Sequence, residues 1–359
     1  MIKQNVSLKD YSNYKIGGNA SYFLEVSSKE QVIDGLNEWK EISKSFSLKK
    51  KRILVLGQGT NILFSDEGFD GLVIKNSIEG IEEVGKEVFV GAGLSFPKLI
   101  DFCIHNSLSG FEWAGGLPGT VGGAIRGNAG AFGGETKDSV IEVVSLNLQT
   151  QEIKKRDNKE CNFSYRFSIF KTQAKNEIIL SSVFSLKKGI EKEIENKTEE
   201  KIQYRITKHP LEYPNLGSIF KNVPFDNIPQ NLKQELSQYV KNDPFPVVPS
   251  AKLIYLAGLI GKRVGDVMVS EKHTNFIVNL GKGRALEVKE LIQIIKSKVR
   301  ERFGIELEEE IIYVDKMGEK LVNFSIFFCN TIFIKSIKSK NISIRIDYAN
   351  HCFSFCWIN

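Results

Sequence analysis

Residues 118–135, PGTVGGAIRGNAGAFGGE, hold seven glycines in eighteen positions. Ordering glycine costs backbone entropy, so such a cluster needs a use: positive φ, or backbone lying against something bulky. A flexible linker would be Gly/Ser-rich. Here Val121, Ala124, Ile125, Ala129, Ala131 and Phe132 are interleaved, which is the pattern of a packed loop. A second glycine turn lies in VLGQGTNILFSDEGF (55–69), where a strand-like run delivers Gly57, Gly59, Thr60 and Asn61. Successive amides in such a turn form a nest for phosphate oxygens. The turn is not a dinucleotide fingerprint: Ile62 stands where a third glycine belongs, and no clean helix follows. Two loops with bare amides, AGG (114–116) just ahead of the second, suit a long, diphosphate-containing ligand spanning a cleft. IGGNA (16–20) adds a third close-approach point.

Three further places could carry chemistry. Tyr165-Arg166 sits in CNFSYRFSIFK, read as a strand, and the planar fork of an arginine suits bidentate binding of a carboxylate. The plainer reading is an arginine paired with a carboxylate inside the protein. Ser218 follows Gly217 in LGSIFKN; a turn serine is the commoner fate of such a pair. No histidine-based triad is apparent, which argues against an acyl-transfer nucleophile. Glu306, Glu308, Glu309 and Glu310 crowd IELEEEIIYV, a pattern typical of a solvated strand edge. Alternation puts the three even-numbered acids on one face and Glu309 on the other, and chooses none of them.

The elements that must position these residues follow from periodicity. YFLEV (22–26) reads as a strand and 28–41 as a helix opened by Ser28, with apolar residues at helical spacing. Strand, glycine turn, short segment and strand follow over 51–75, the start of an α/β unit. Short alternating strands within 80–100, then a helix at about 97–107, the glycine cluster, and strand-like runs VIEVVSLNL, CNFSYRF and EIILSSVFSL complete the first half. A charged helix at 190–208, a strand at 273–280, a helix at 287–303 and a strand at 305–314 make the second half. The expected domains are 1–75, 76–188 and 189–316. Residues 317–359 are expected outside the fold, because the Ile/Phe/Lys-rich tail lacks turn signals.

Composition narrows the class. The 359 residues are 42% hydrophobic and 26% charged, as in a soluble multi-domain protein. Half of the +6 charge falls in the last 41 residues, so no basic stripe for nucleic acid remains. No apolar run is long enough for a membrane span, and no signal peptide opens the chain. Five cysteines with no C-x-x-C pair, Cys103 and Cys161 among them, read as reduced thiols in a cytoplasmic protein.

IGGNA, VLGQGTNILFSD, GLPGTVGGAIRGNAGAFGGE, YRFSIFK, GSIFKN and HTNFIVN resemble, in that order, the UDP-N-acetylenolpyruvoylglucosamine reductases, over residues 5–316. The resemblance implies an α+β chain: a two-subdomain FAD-binding fold of the PCMH type, then an α+β substrate-binding domain. It implies non-covalent FAD against Gly57, Gly59, Thr60, Asn61, Gly119, Thr120, Gly122, Gly123, Asn128 and Gly130. NADPH is the implied co-substrate, no metal is needed, and a monomer is expected. Arg166, Ser218 and Glu310 take the catalytic positions: Arg166 and Glu310 stabilise charge as hydride reaches the enolpyruvyl group, and Ser218 protonates the enolate carbon. Tyr165, Lys208 and Asn222 take substrate positions, the last two beside the uridine diphosphate. His273 is expected to be structural. The stretch between Arg166 and Ser218 is too short for the tyrosine loop of one class of these enzymes. The alternatives are a flavin oxidase, which the lack of a histidine before His105 disfavours in its covalent form, and an inactive flavin-binding protein.

Overall fold

The computed structural model describes residues 1–47 and 51–320, so the tail expectation lies outside the described residues from residue 321 onward. A four-stranded sheet opens the chain, in the order Lys3–Ser7, Asn19–Val26, Phe69–Asn76, Ile53–Leu56. The Phe69–Asn76 strand runs parallel to both of its neighbours. Helix Lys29–Ile42 covers one face through Val32, Leu36 and Trp39, and the Ser28 hydroxyl caps it by accepting from Gln31 N at 3.2 Å. Gly35 lets that helix lie close on the sheet: a Cβ there would fall 2.1 Å from Leu24 Cδ2 and would have to move that side chain.

A five-stranded antiparallel sheet follows, in the order Ile153–Asp157, Val140–Asn147, Glu177–Ser185, Glu87–Gly91, Ile81–Val84. Its core gathers Val88, Val90, Phe96, Phe111, Ile125 and Phe184. The last part packs helix Ala285–Phe303 on a three-stranded sheet through Val288, Leu291, Ile292, Ile295 and Val299. The chain then returns: Ile312–Asp315 pairs in parallel with Ile62–Phe64 and antiparallel with Gly318–Lys320. This return strand is what brings the acidic run back to the first glycine turn.

Three expectations need correction. CNFSYRF is a tight turn and not a strand. Asn162 and Arg166 both adopt left-handed backbone (φ 46° and 55°), and Ser164 and Phe167 exchange backbone hydrogen bonds at 3.1 and 3.0 Å. The strand nearby is Ile153–Asp157, whose charged, exposed sequence marks an edge that alternation does not reveal. Residues 305–311 are irregular apart from a bridge between Phe220 and Glu309, because the segment bonds to a loop. The strand read over 273–280 is confined to Ile277–Asn279, since the Asn275 side chain ties the preceding turn to Phe220 N and O.

Candidate active site

A cleft of about 1020 Å³ runs between the two glycine loops and the C-terminal part. Gly57, Gly59, Thr60 and Asn61 line one wall, and Gly119, Thr120, Gly122, Gly123 and Gly130 the opposite one. The walls are joined where Gly119 N donates to Gln58 Oε1 at 3.1 Å. Glycine is needed at the seam: a Cβ on Gly57 would stand 2.7 Å from Thr120 Oγ1. Gly59 has φ +64° and packs directly on the Tyr11 carbonyl, 2.1 Å from where a Cβ would be. Seven residues of the glycine cluster form helix Val121–Gly127, capped by Thr120 Oγ1 accepting from Gly123 N at 3.2 Å. Glycines 123 and 127 leave that helix surface bare, since a Cβ on Gly127 would meet nothing within 4 Å.

Asn128 is placed differently. It is fully buried in left-handed backbone, donating to Glu135 Oε1 and Ser164 O and accepting from Lys137 N. All of that holds the turn below Arg166, away from the cleft lining. Asn61 has a second task as well: its amide donates to the Glu310 carbonyl at 3.1 Å, and its own carbonyl accepts from Ile312 N.

Arg166, Ser218 and Glu310 meet at one end of the cleft. Arg166 Nη2 donates to Gly130 O at 2.7 Å, and Nε stands 2.8 Å from Glu310 Oε1. The approach to Glu310 is short but poorly aimed, so it is a charge pair more than a hydrogen bond; Nε and Nη1 are both buried without a hydrogen-bond partner. Burial works against the Arg166 charge, but the Glu310 carboxylate opposes it and the guanidinium ends above its ordinary pKa. Ser218 follows Gly217 (φ 77°), whose amide donates to Asn215 Oδ1 at 2.9 Å. The next residue fixes the distance to the acid, because Ile219 O accepts from Glu310 N at 2.8 Å.

Geometry separates the four glutamates that the sequence left open. Glu306 pairs with Arg300 at the surface, exposed Glu308 with Lys221, and Glu309 with Lys296 at 3.0 Å. Glu310 alone of the four lines the cleft. Tyr165, Lys208 and Asn222 are not among the lining residues. The Tyr165 hydroxyl accepts from Asn222 N at 3.4 Å and its ring lies under the Arg166 guanidinium, while Lys208 is exposed at a helix end.

Several lining residues escaped the sequence reading. Lys171 Nζ donates to Arg166 O at 2.6 Å. Arg205, 9% exposed, donates Nε to Gly115 O at 2.7 Å and stacks over Phe132, leaving Nη2 buried without a partner. His209 packs on Phe276 and His273 beside it. Burial, with the charges of His273 and Arg205, lowers His209 to about pKa 4, and burial, with Lys241, does the same to His273. Arg205 and His209 sit in a charged, helical stretch whose repeat looks like a solvated face, so only tertiary contact reveals them.

Residues 22–150 match the family model described as FAD binding domain, and residues 209–314 that described as UDP-N-acetylenolpyruvoylglucosamine reductase, C-terminal domain. A UDP-N-acetylenolpyruvoylglucosamine reductase of Fervidobacterium nodosum is 39% identical over 86% of this chain and 90% of its own. One from Caldanaerobacter subterraneus subsp. tengcongensis is 37% identical over 88% and 93%. The crystal structure of the Thermus caldophilus reductase superposes with a TM-score of 0.68, at 29% identity over 87% of this chain and 99% of that one.

Proposed function

The chain belongs to the UDP-N-acetylenolpyruvoylglucosamine reductase family, and on that premise we propose that it reduces the enolpyruvyl ether of UDP-N-acetylglucosamine to the lactyl ether, UDP-N-acetylmuramate, with NADPH as reductant. It is an FAD-binding oxidoreductase of peptidoglycan precursor synthesis. The observation that carries the reading is the meeting of the Arg166–Glu310 pair and Ser218 at one end of a cleft walled elsewhere by glycine backbone.

The residues present fit FAD. The seam at Gly57 and Gly119 is a cradle that side chains would fill, and Arg205 Nη2 is an unpaired buried cation donor suited to an anionic group. When bound, FAD supplies the hydride chemistry between NADPH and the substrate carbon. The protein supplies position and charge. Arg166 Nη1, buried and unpaired, is free to take the substrate carboxylate, where negative charge grows as the methylene carbon is reduced. Glu310 holds the guanidinium in orientation. Ser218 gives its proton to the enolate carbon beside that carboxylate; a hydroxyl is acid enough only for so basic a partner.

The reading is tested by incubating the protein, NADPH and the enolpyruvyl nucleotide together. It predicts one NADPH oxidised per nucleotide that gains two hydrogens by mass. Consumption of NADPH without a change in nucleotide mass would defeat it.

A further inference from the structure

We propose that Lys171 is a positioning residue for this reaction, its ammonium holding the Arg166 turn in place and adding a second fixed positive charge at the carboxylate end of the cleft. The inference rests on the reading of Arg166 as the carboxylate anchor.

Arg166 sits at φ +55°, where a side-chain-bearing residue is strained by about 1–2 kcal/mol. Backbone pairing between Ser164 and Phe167 closes the turn and holds the N–H side of the Arg166–Phe167 peptide, but neither bond uses the Arg166 carbonyl. That carbonyl is held by Lys171 Nζ at 2.6 Å. Lysine can reach it because Ile169–Lys171 forms one helical turn that folds the chain back, with Lys171 N donating to Ser168 O and Ser168 Oγ to Arg126 O. Turn, helical turn and glycine helix are thereby locked as one unit around the guanidinium.

The charges facing Lys171 come from every element packed on it: Arg126 from helix Val121–Gly127, Arg166 from its own turn, Lys221 from the segment after Ser218, and Glu310 from the return strand. Of these, Lys221 is paired with Glu308 and Arg166 with Glu310, so the Lys171 ammonium stands among charges of both signs. Burial first, then Arg126, pushes the Lys171 ammonium down to about pKa 8, with Glu310 opposing. Lys171 is therefore charged at neutral pH and loses its proton as pH rises through 8. A bound carboxylate favours the protonated form, so substrate affinity must fall over the same interval.

The experiment is calorimetric titration of the oxidised, FAD-loaded protein with the enolpyruvyl nucleotide from pH 6.5 to 9.5, together with KM and kcat. Wild type should bind roughly ten-fold more weakly at pH 9 than at pH 7, the consequence of one proton lost near pH 8. Lys171→Met should bind about ten-fold more weakly at neutral pH, the loss of one charge-assisted contact, and show no further alkaline decline. Lys171→Arg stays charged throughout and should restore neutral-pH affinity while removing the alkaline decline. Retention of the wild-type decline in Lys171→Arg overturns the proposal even if Lys171→Met does not fold. Failure of wild type to bind or turn over the nucleotide at any pH would instead defeat the functional reading beneath it.

Discussion

Arg166→Lys keeps a positive charge at the turn and removes the fork, so it isolates what the guanidinium's geometry contributes. Arg166 Nη2 is committed to Gly130 O, Nε faces Glu310, and Nη1 is buried with nothing to bind. A lysine can satisfy one of these directions and not the others. The change therefore loses one to two charge-assisted hydrogen bonds, each worth roughly 1.5–3 kcal/mol. Both Arg166 and Glu310 are about a fifth exposed (18% and 21%), so water screens part of this and the lower part of the range applies. A total of about 3 kcal/mol converts to a little over two decades at 1.36 kcal/mol per decade. The loss should fall on the substrate half of the cycle, in both nucleotide affinity and the rate of its reduction, followed by stopped-flow spectroscopy of the flavin. A double-mutant cycle of Arg166→Met with Glu310→Gln should show coupling, since each single change strands the other charge. If Arg166→Lys stayed within three-fold of wild type in both affinity and rate, the fork would not be holding the carboxylate.

Ser218→Ala should slow reduction of the nucleotide by roughly 10²–10⁴-fold, the usual cost of a lost general acid, while NADPH still bleaches the flavin near the wild-type rate. Equal slowing of both half-reactions would make the serine a shaping residue instead. Gly57→Ala should lower flavin content on purification, because its Cβ falls 2.7 Å from Thr120 Oγ1 and must displace the helix cap; normal flavin retention would show that the seam tolerates bulk. His209 and His273 are held neutral in the fold down to about pH 4, whereas an unfolded histidine takes its proton near 6.5. Their contribution is complete above pH 6.5 and is lost as pH falls toward 4, on the order of 2–3 kcal/mol each, less any coupling. His209→Gln should flatten the fall of melting temperature over that window, and an unchanged slope would place the titration elsewhere.

Much of the site was legible because its signals are local. Glycines at a seam, a serine after a positive-φ glycine and an arginine in a motif can be read without knowing what they touch. What escaped depends on distant contacts. The Arg166 run reads as a strand because alternation of Phe163, Tyr165 and Phe167 mimics one, and only the left-handed backbone at Asn162 and Arg166 breaks it. Alternation could not tell Glu310 from its three acidic neighbours and only the resemblance selected it; the backbone bonds to Ile219 and Asn61 that hold it at the cleft are long-range contacts. Asn128, which the resemblance places against FAD, has its side-chain polar atoms bonded inside the turn, a set of contacts that no local pattern announces.

The central claim is that this cleft passes reducing equivalents from NADPH to an enolpyruvyl nucleotide. Anaerobic mixing of the purified protein, first with NADPH and then with the nucleotide, tests it most directly. The flavin absorbance should bleach with NADPH and return, in step with one equivalent of added nucleotide, before any oxygen is admitted. Absorbance that stays bleached after the nucleotide and recovers only in air would contradict the account.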